Sequence, residues 1–310
     1  MTIPVRRHLK KGDIVELVAP SSGVSADLME KSQTTLRNWG LKPRLRRTSW
    51  NADGLYSGSD QERFEELWSA VDARDSQAIW CIRGGTGASR LLDKLSAQKP
   101  PHAQKLFIGF SDVTCLELFF ADKWGWIPIH GPNLSQIANK SIDPVSVGIL
   151  KDLLFGFSDQ ICLDDLNPIC AVSDDELPYA TIIGGNLSLV QASIGTFWQP
   201  GTSDRILFLE DVGLRPYQIV EKLDHLHHAG LLKQVMALVL GTFILPPEYA
   251  GEISLLEEAL VDFTSRVRIP VFRTSQTGHG ERNMPVLQGG RCQLFRKNTS
   301  WILSIREGVC

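Results

Sequence analysis

Short apolar stretches recur through the first half of the chain, at Ile14 to Ala19, Ala78 to Ile82 and Leu106 to Ile108. Runs of this length with little polar alternation predict strands buried on both faces. The intervals carry a different period. Ala26 to Trp39 has a helical pattern closed by Gly40, and Ser59 with Glu62 forms a capping box. That box opens a helix whose inner stripe is Phe64, Leu67, Trp68 and Val71. Lys42 to Thr48 predicts a polar edge strand, and Asn51 to Gly58 a loop. Strands of the first kind alternating with helices predict a doubly wound, mostly parallel α/β sheet, with function at the carboxyl ends of its strands.

Those ends carry Pro20-Ser21-Ser22-Gly23, Arg83-Gly84-Gly85-Thr86-Gly87 and Gly109-Phe110-Ser111-Asp112. A further strand, Trp126 to Ile129, delivers His130-Gly131-Pro132. Around Phe155 to Asp165 the chain turns polar and acidic, which places a domain boundary there, with domains expected at 1–158 and 159–310. The second is expected to be a smaller α/β domain with additional strands. Its pattern predicts a strand from Ala180 to Ile183 and a helix from Leu189 to Ile194. A strand from Ile206 to Leu209 ends at Glu210-Asp211. A helix opened by Pro216 runs through His228, a strand covers Val235 to Leu240, and a helix covers Ile253 to Val267.

The chain has 310 residues and is 43% hydrophobic, enough for substantial cores. A net charge of -3 gives no basic field for nucleic acid; the Arg44-Leu45-Arg46-Arg47 run reads as a solvated strand end. Six cysteines form no C-x-x-C pair and mostly lie in apolar runs, which suits a reducing cytoplasm. The N-terminal charges precede no export segment, and no stretch is apolar enough to span a membrane. A soluble, unprocessed, cytoplasmic chain is expected, without membrane or nucleic-acid partners.

Candidate chemistry centres on Ser111. The strand-to-helix break at Gly109-Phe110-Ser111-Asp112 has the form of a nucleophile elbow, which exposes a hydroxyl and aims the next N–H at an oxyanion. Val113 stands where G-x-S-x-G requires a second glycine, so Ser111 or Asp112 as a helix cap is the competing interpretation. Gly84 to Gly87 offers amides to an anion, but matches neither a P-loop nor a dinucleotide fingerprint, and no cofactor is expected. His279, between Gly278 and Gly280, is the candidate base, with His130 as a competitor or a turn-stabilising donor. His225 and His228 share a helical face but lack further ligands at matching spacing, so no metal is expected. Glu210 or Asp211 is available to orient an imidazole.

Taken in order, Val18-Ala19-Pro20-Ser21, Ile82-Arg83-Gly84-Gly85, Gly109-Phe110-Ser111-Asp112, His130-Gly131-Pro132, Gly184-Gly185-Asn186-Leu187, Leu209-Glu210-Asp211 and Gly278-His279 resemble the LD-carboxypeptidase family over nearly the whole chain. This family of serine peptidases includes murein tetrapeptide carboxypeptidases and microcin C self-immunity peptidases. The resemblance implies Ser111 as nucleophile, Glu210 and His279 as its relay, and the Gly85 and Asp112 amides as an oxyanion hole. Arg83, Gly84 and Asn186 are the expected substrate contacts. The implied activity is cleavage of an L-to-D peptide bond that releases D-alanine from cytoplasmic murein tetrapeptide during peptidoglycan recycling, by a homodimer. A peptidyl-nucleotide substrate, with Trp198 stacked on its base, is one alternative; a non-catalytic small-molecule binding protein is another. Thr86, Leu214 and Val220-Glu221 depart from the family pattern.

Overall fold

The computed structural model describes residues 7–101 and 103–308. The expectations for the first six residues and for Cys310 therefore lie outside the described residues.

Six strands form the first sheet in the order β11-β5-β4-β3-β1-β2. Five come from the first half: β1 (Ile14–Val18), β2 (Lys42–Leu45), β3 (Ser76–Cys81), β4 (Leu106–Gly109) and β5 (Ile129–His130). All neighbouring pairs among them are parallel. Around them lie α1 (Ala26–Asn38), α2 (Asp60–Asp72), α3 (Leu92–Ser96), α4 (Thr114–Trp124), α5 (Leu134–Ala138) and α6 (Pro144–Phe155). The predicted capping box at Ser59 and Glu62 opens α2. The stretch expected to run from Trp126 to Ile129 is strand only at Ile129–His130.

The second half closes on itself as a seven-stranded barrel. Its parallel part is β7 (Ala180–Asn186), β8 (Arg205–Val212), β9 (Ala237–Ile244) and β10 (Val271–Gly278). Antiparallel β6 (Gln160–Pro168), β12 (Arg291–Lys297) and β13 (Ser300–Arg306) complete it. Helices α7 (Leu187–Ala192), α8 (Pro216–His228) and α9 (Ile253–Val267) pack outside. The polar stretch read as the place of a domain boundary carries β6 from Gln160 onward. Ile161, Leu163 and Leu166 point inward while the intervening residues are more exposed, so only one face is apolar.

The two halves are joined. Strand β11 (Val286–Leu287) leaves the second half and pairs antiparallel with β5 of the first sheet. The Gln288 side chain then holds both backbone groups of Gly184 in the barrel, donating to its carbonyl and accepting from its N–H. Thr114 Oγ1, at the start of α4, accepts from the Asn186 N–H at 3.1 Å.

Candidate active site

Strand order creates the site. From β1 the chain goes outward to β2, then returns to β3 on the other side, so the β1 and β3 loops diverge at a topological switch point. The β4 loop carrying Ser111 lies beside them. Asp112 fastens all three loops: Oδ2 accepts from Ser21 Oγ at 2.7 Å and from the Ala88 N–H at 2.8 Å. Its carboxylate thus caps the short 3-10 helix Ala88–Leu91 rather than the helix it precedes.

Ser111 is not a helix cap either. Phe110 occupies the cap position of the turn, without a side-chain hydrogen bond. Ser111 itself has φ +67°, a left-handed conformation that a side-chain-bearing residue adopts only under local constraint. Its hydroxyl makes no hydrogen bond to a described residue. A Cβ on Gly84 would lie 2.9 Å from Ser111 Cβ and 3.2 Å from its Oγ, so only glycine leaves this approach open. Gly85 has φ +115°, and a Cβ there would fall on Ser22 Oγ. Val113 packs directly over Gly109, where a Cβ would collide with it, so the one glycine present in the motif is required by its neighbour.

The second half supplies the imidazole and its carboxylate. Register shifts interrupt the β8–β9 pairing between Leu209 and Asp211 and the β10–β9 pairing between Arg273 and Gly278. Irregularities of this kind re-aim side chains at the end of a ladder. Glu210 sits in the first and His279 directly follows the second, and His279 Nδ1 hydrogen-bonds Glu210 Oε2. This contact fixes one ring nitrogen and leaves Nε2 for proton exchange. Glu210 is fully buried and His279 partly exposed. Burial pushes the Glu210 carboxyl up, but His279 and His130 more than offset it and hold its pKa below the usual value. The His279 ring lies against Phe110, the neighbour of Ser111, with centroids 4.4 Å apart.

Asp211, the alternative to Glu210, is committed elsewhere. It accepts from Asn186 Nδ2 and from the N–H and hydroxyl of Ser188. Asn186 in turn caps α7 by accepting from the Leu189 N–H. Arg83 is exposed and donates to the Gly23 carbonyl at 3.1 Å, bracing the neighbouring loop. Thr86 donates its N–H to Ser22 Oγ, and the partly buried Leu214 packs against the apolar core.

Two expectations are corrected. His130 is neither a competing base nor a turn donor; it is fully buried between Glu117 and Glu210, with Nδ1 2.8 Å from Glu117 Oε2. Trp198 is buried in an apolar cluster and presents no free face to a base. His225 hydrogen-bonds Gln191, and no group of three or more metal-ligating side chains occurs among the described residues. Glu117 escaped notice altogether. Its signal is a lone carboxylate within Cys115-Leu116-Glu117-Leu118-Phe119-Phe120, where burial demands a charged partner.

Residues 15–131 match the model of the LD-carboxypeptidase N-terminal domain, and residues 179–294 that of the LD-carboxypeptidase C-terminal domain. A putative carboxypeptidase of Rickettsia conorii is 32% identical over 293 residues, covering 93% of this chain and 90% of the relative. The murein tetrapeptide carboxypeptidase of Pseudomonas aeruginosa is 28% identical, with 89% and 94% covered. Among solved structures, the muramoyltetrapeptide carboxypeptidase of Oxalobacter formigenes superposes with a TM-score of 0.82 at 25% identity, covering 96% of this chain and all of the other.

Proposed function

The chain belongs to the LD-carboxypeptidase family, and from that premise we propose that it is a serine carboxypeptidase releasing D-alanine from the L-to-D bond of murein tetrapeptide. Ser111 Oγ attacks the scissile carbonyl, and His279 Nε2 accepts its proton and returns it to the leaving amine. Glu210 holds the imidazole in the tautomer that this requires. The Gly85 and Asp112 N–H groups receive the oxyanion; Asp112 lies in the first turn of its helix, where amides lack intrahelical partners. Arg83 reads the substrate's terminal carboxylate with the donors not spent on Gly23, while Gly84 and Asn186 bound the cleft. The substrate would be wall fragments processed in the cytoplasm.

The observation that carries this reading is the Glu210–His279 hydrogen bond, made by a fully buried carboxylate to a ring packed against Phe110, the neighbour of a serine in a left-handed turn. Ser111 and His279 are not hydrogen-bonded to each other in the structure. Catalytic contacts of this kind commonly tighten only with substrate in place. The test is incubation of the purified protein with free tetrapeptide, measuring D-alanine. Release by the native chain and none by Ser111→Ala is expected. No release by the native chain, or undiminished release by the variant, would overturn the reading; cleavage of a peptidyl-nucleotide alone would reassign the substrate.

A further inference from the structure

Behind Glu210, on the side away from His279, lies a second imidazole that the triad does not use. Glu117 on α4, His130 on β5 and Glu210 on β8 are all fully buried. His130 Nδ1 is hydrogen-bonded to Glu117 Oε2 at 2.8 Å, and its Nε2 faces Glu210 Oε1 at 3.6 Å. Neither of those last two atoms has a hydrogen-bond partner, and they face each other across the junction between the halves. Phe110 and Phe208 wall the ring edge-on, with centroids 5.0 and 5.6 Å away.

An imidazole with both nitrogens aimed at carboxylate oxygens is suited to carry two protons. A neutral tautomer would set its lone pair against one carboxylate, in a pocket where such a mismatch goes unscreened. The electrostatics agree: burial works against the charge, yet Glu117 and Glu210 together raise the His130 pKa to about 10.

We propose that His130 is a positioning residue, a standing imidazolium anchored by Glu117 that holds Glu210 from behind and keeps its other oxygen on His279 Nδ1. The role rests on the reading of His279 as the base. It also explains why Glu210 can be wholly buried yet ionised, since Oε2 is occupied by His279 and Oε1 is balanced by His130. The charged groups facing this cation are Glu117 from α4 and Glu210 from β8, with His279 beyond Glu210. A cation behind Glu210 offsets part of the negative field that this carboxylate sets on the relay, and removing the cation leaves that field at full strength.

His130→Gln tests this on the full chain with tetrapeptide as substrate. Turnover is expected to fall on the order of 10²-fold through misplacement of the relay, with KM little changed. The acid limb of kcat/KM is expected to move to higher pH. A fall in turnover with the limb unmoved would overturn the proposal, because a purely structural role predicts that result. Nitrogen-15 NMR of histidine in the native protein needs no variant: His130 is expected to remain doubly protonated from pH 6 to pH 9, and a neutral ring there would overturn the proposal. Glu117→Gln should bring its titration down into that range, and an unmoved titration would refute the anchoring. The NMR arms hold even if tetrapeptide is not the substrate, which separates failure here from failure of the peptidase reading.

Discussion

Ser111 bears a side chain in a conformation that suits glycine, and its neighbours are arranged around that fact. A left-handed backbone costs a side-chain-bearing residue about 1–2 kcal/mol relative to glycine. Both Ser111→Gly and Ser111→Ala should reduce D-alanine release by about 10⁶-fold, if this serine acts as nucleophiles in such relays do. Their stabilities should separate, the glycine variant standing about 1 kcal/mol above the alanine variant in urea unfolding. Equal stabilities would mean that the turn is not strained. Glu210→Gln keeps the shape of the side chain but lets an amide compete for the wrong ring tautomer. Turnover should drop by about 10⁴-fold with little change in KM, measured on the same peptide. The serine was legible in the sequence because a turn between an apolar strand and an apolar helix is a local pattern. Glu117 was not, nor was its pairing with His130, because nothing local says that a lone acid in a helix and a histidine at a strand end thirteen residues on will meet.

At the level of elements, Asp112 links the β1 loop, the 3-10 helix after β3 and the serine turn through one oxygen. Asp112→Ala should lower stability by about 1–3 kcal/mol, because Ser21 Oγ and the Ala88 N–H are left buried without an acceptor. Asp112→Asn retains an acceptor at that position and should recover most of the loss; chemical denaturation of both variants decides. A loss that asparagine does not recover would show that the charge, and not the hydrogen bonds, holds the loops. The strands of the first sheet were readable because burial on both faces makes their runs nearly continuous. β6 was missed for the opposite reason: with one face exposed, Asp164, Asp165 and Asn167 give it the composition of a linker. Barrel closure was equally hidden, since β6 meets β13 and β10 through pairings more than a hundred residues apart. No local pattern in the sequence records the displaced register around Glu210.

Across the whole molecule, the serine comes from one half and the imidazole with its carboxylate from the other, so the site exists only when the halves are docked. Thr114 to Asn186, Gln288 to Gly184 and the β11–β5 pairing hold them mechanically. The His130–Glu210 pair ties them electrostatically, and this makes docking depend on pH. His130 has its pKa raised from 6.5 to about 10: burial opposes the charge, and the two carboxylates outweigh burial. Between those values the folded chain retains a proton that the unfolded chain has lost. The stabilisation is therefore fully present below pH 6.5 and declines as pH rises toward 10, at a slope of up to about 1.4 kcal/mol per pH unit. Urea unfolding of the native protein from pH 7 to pH 10 should show this decline, and His130→Gln should flatten it while lowering stability at pH 7. Glu210 has the opposite sign, since its lowered pKa gives stability that is present above about pH 4.5 and is lost on further acidification. The docked state should consequently be most stable between these two limits. A native profile as flat above pH 7 as that of the variant would show that no buried cation joins the halves.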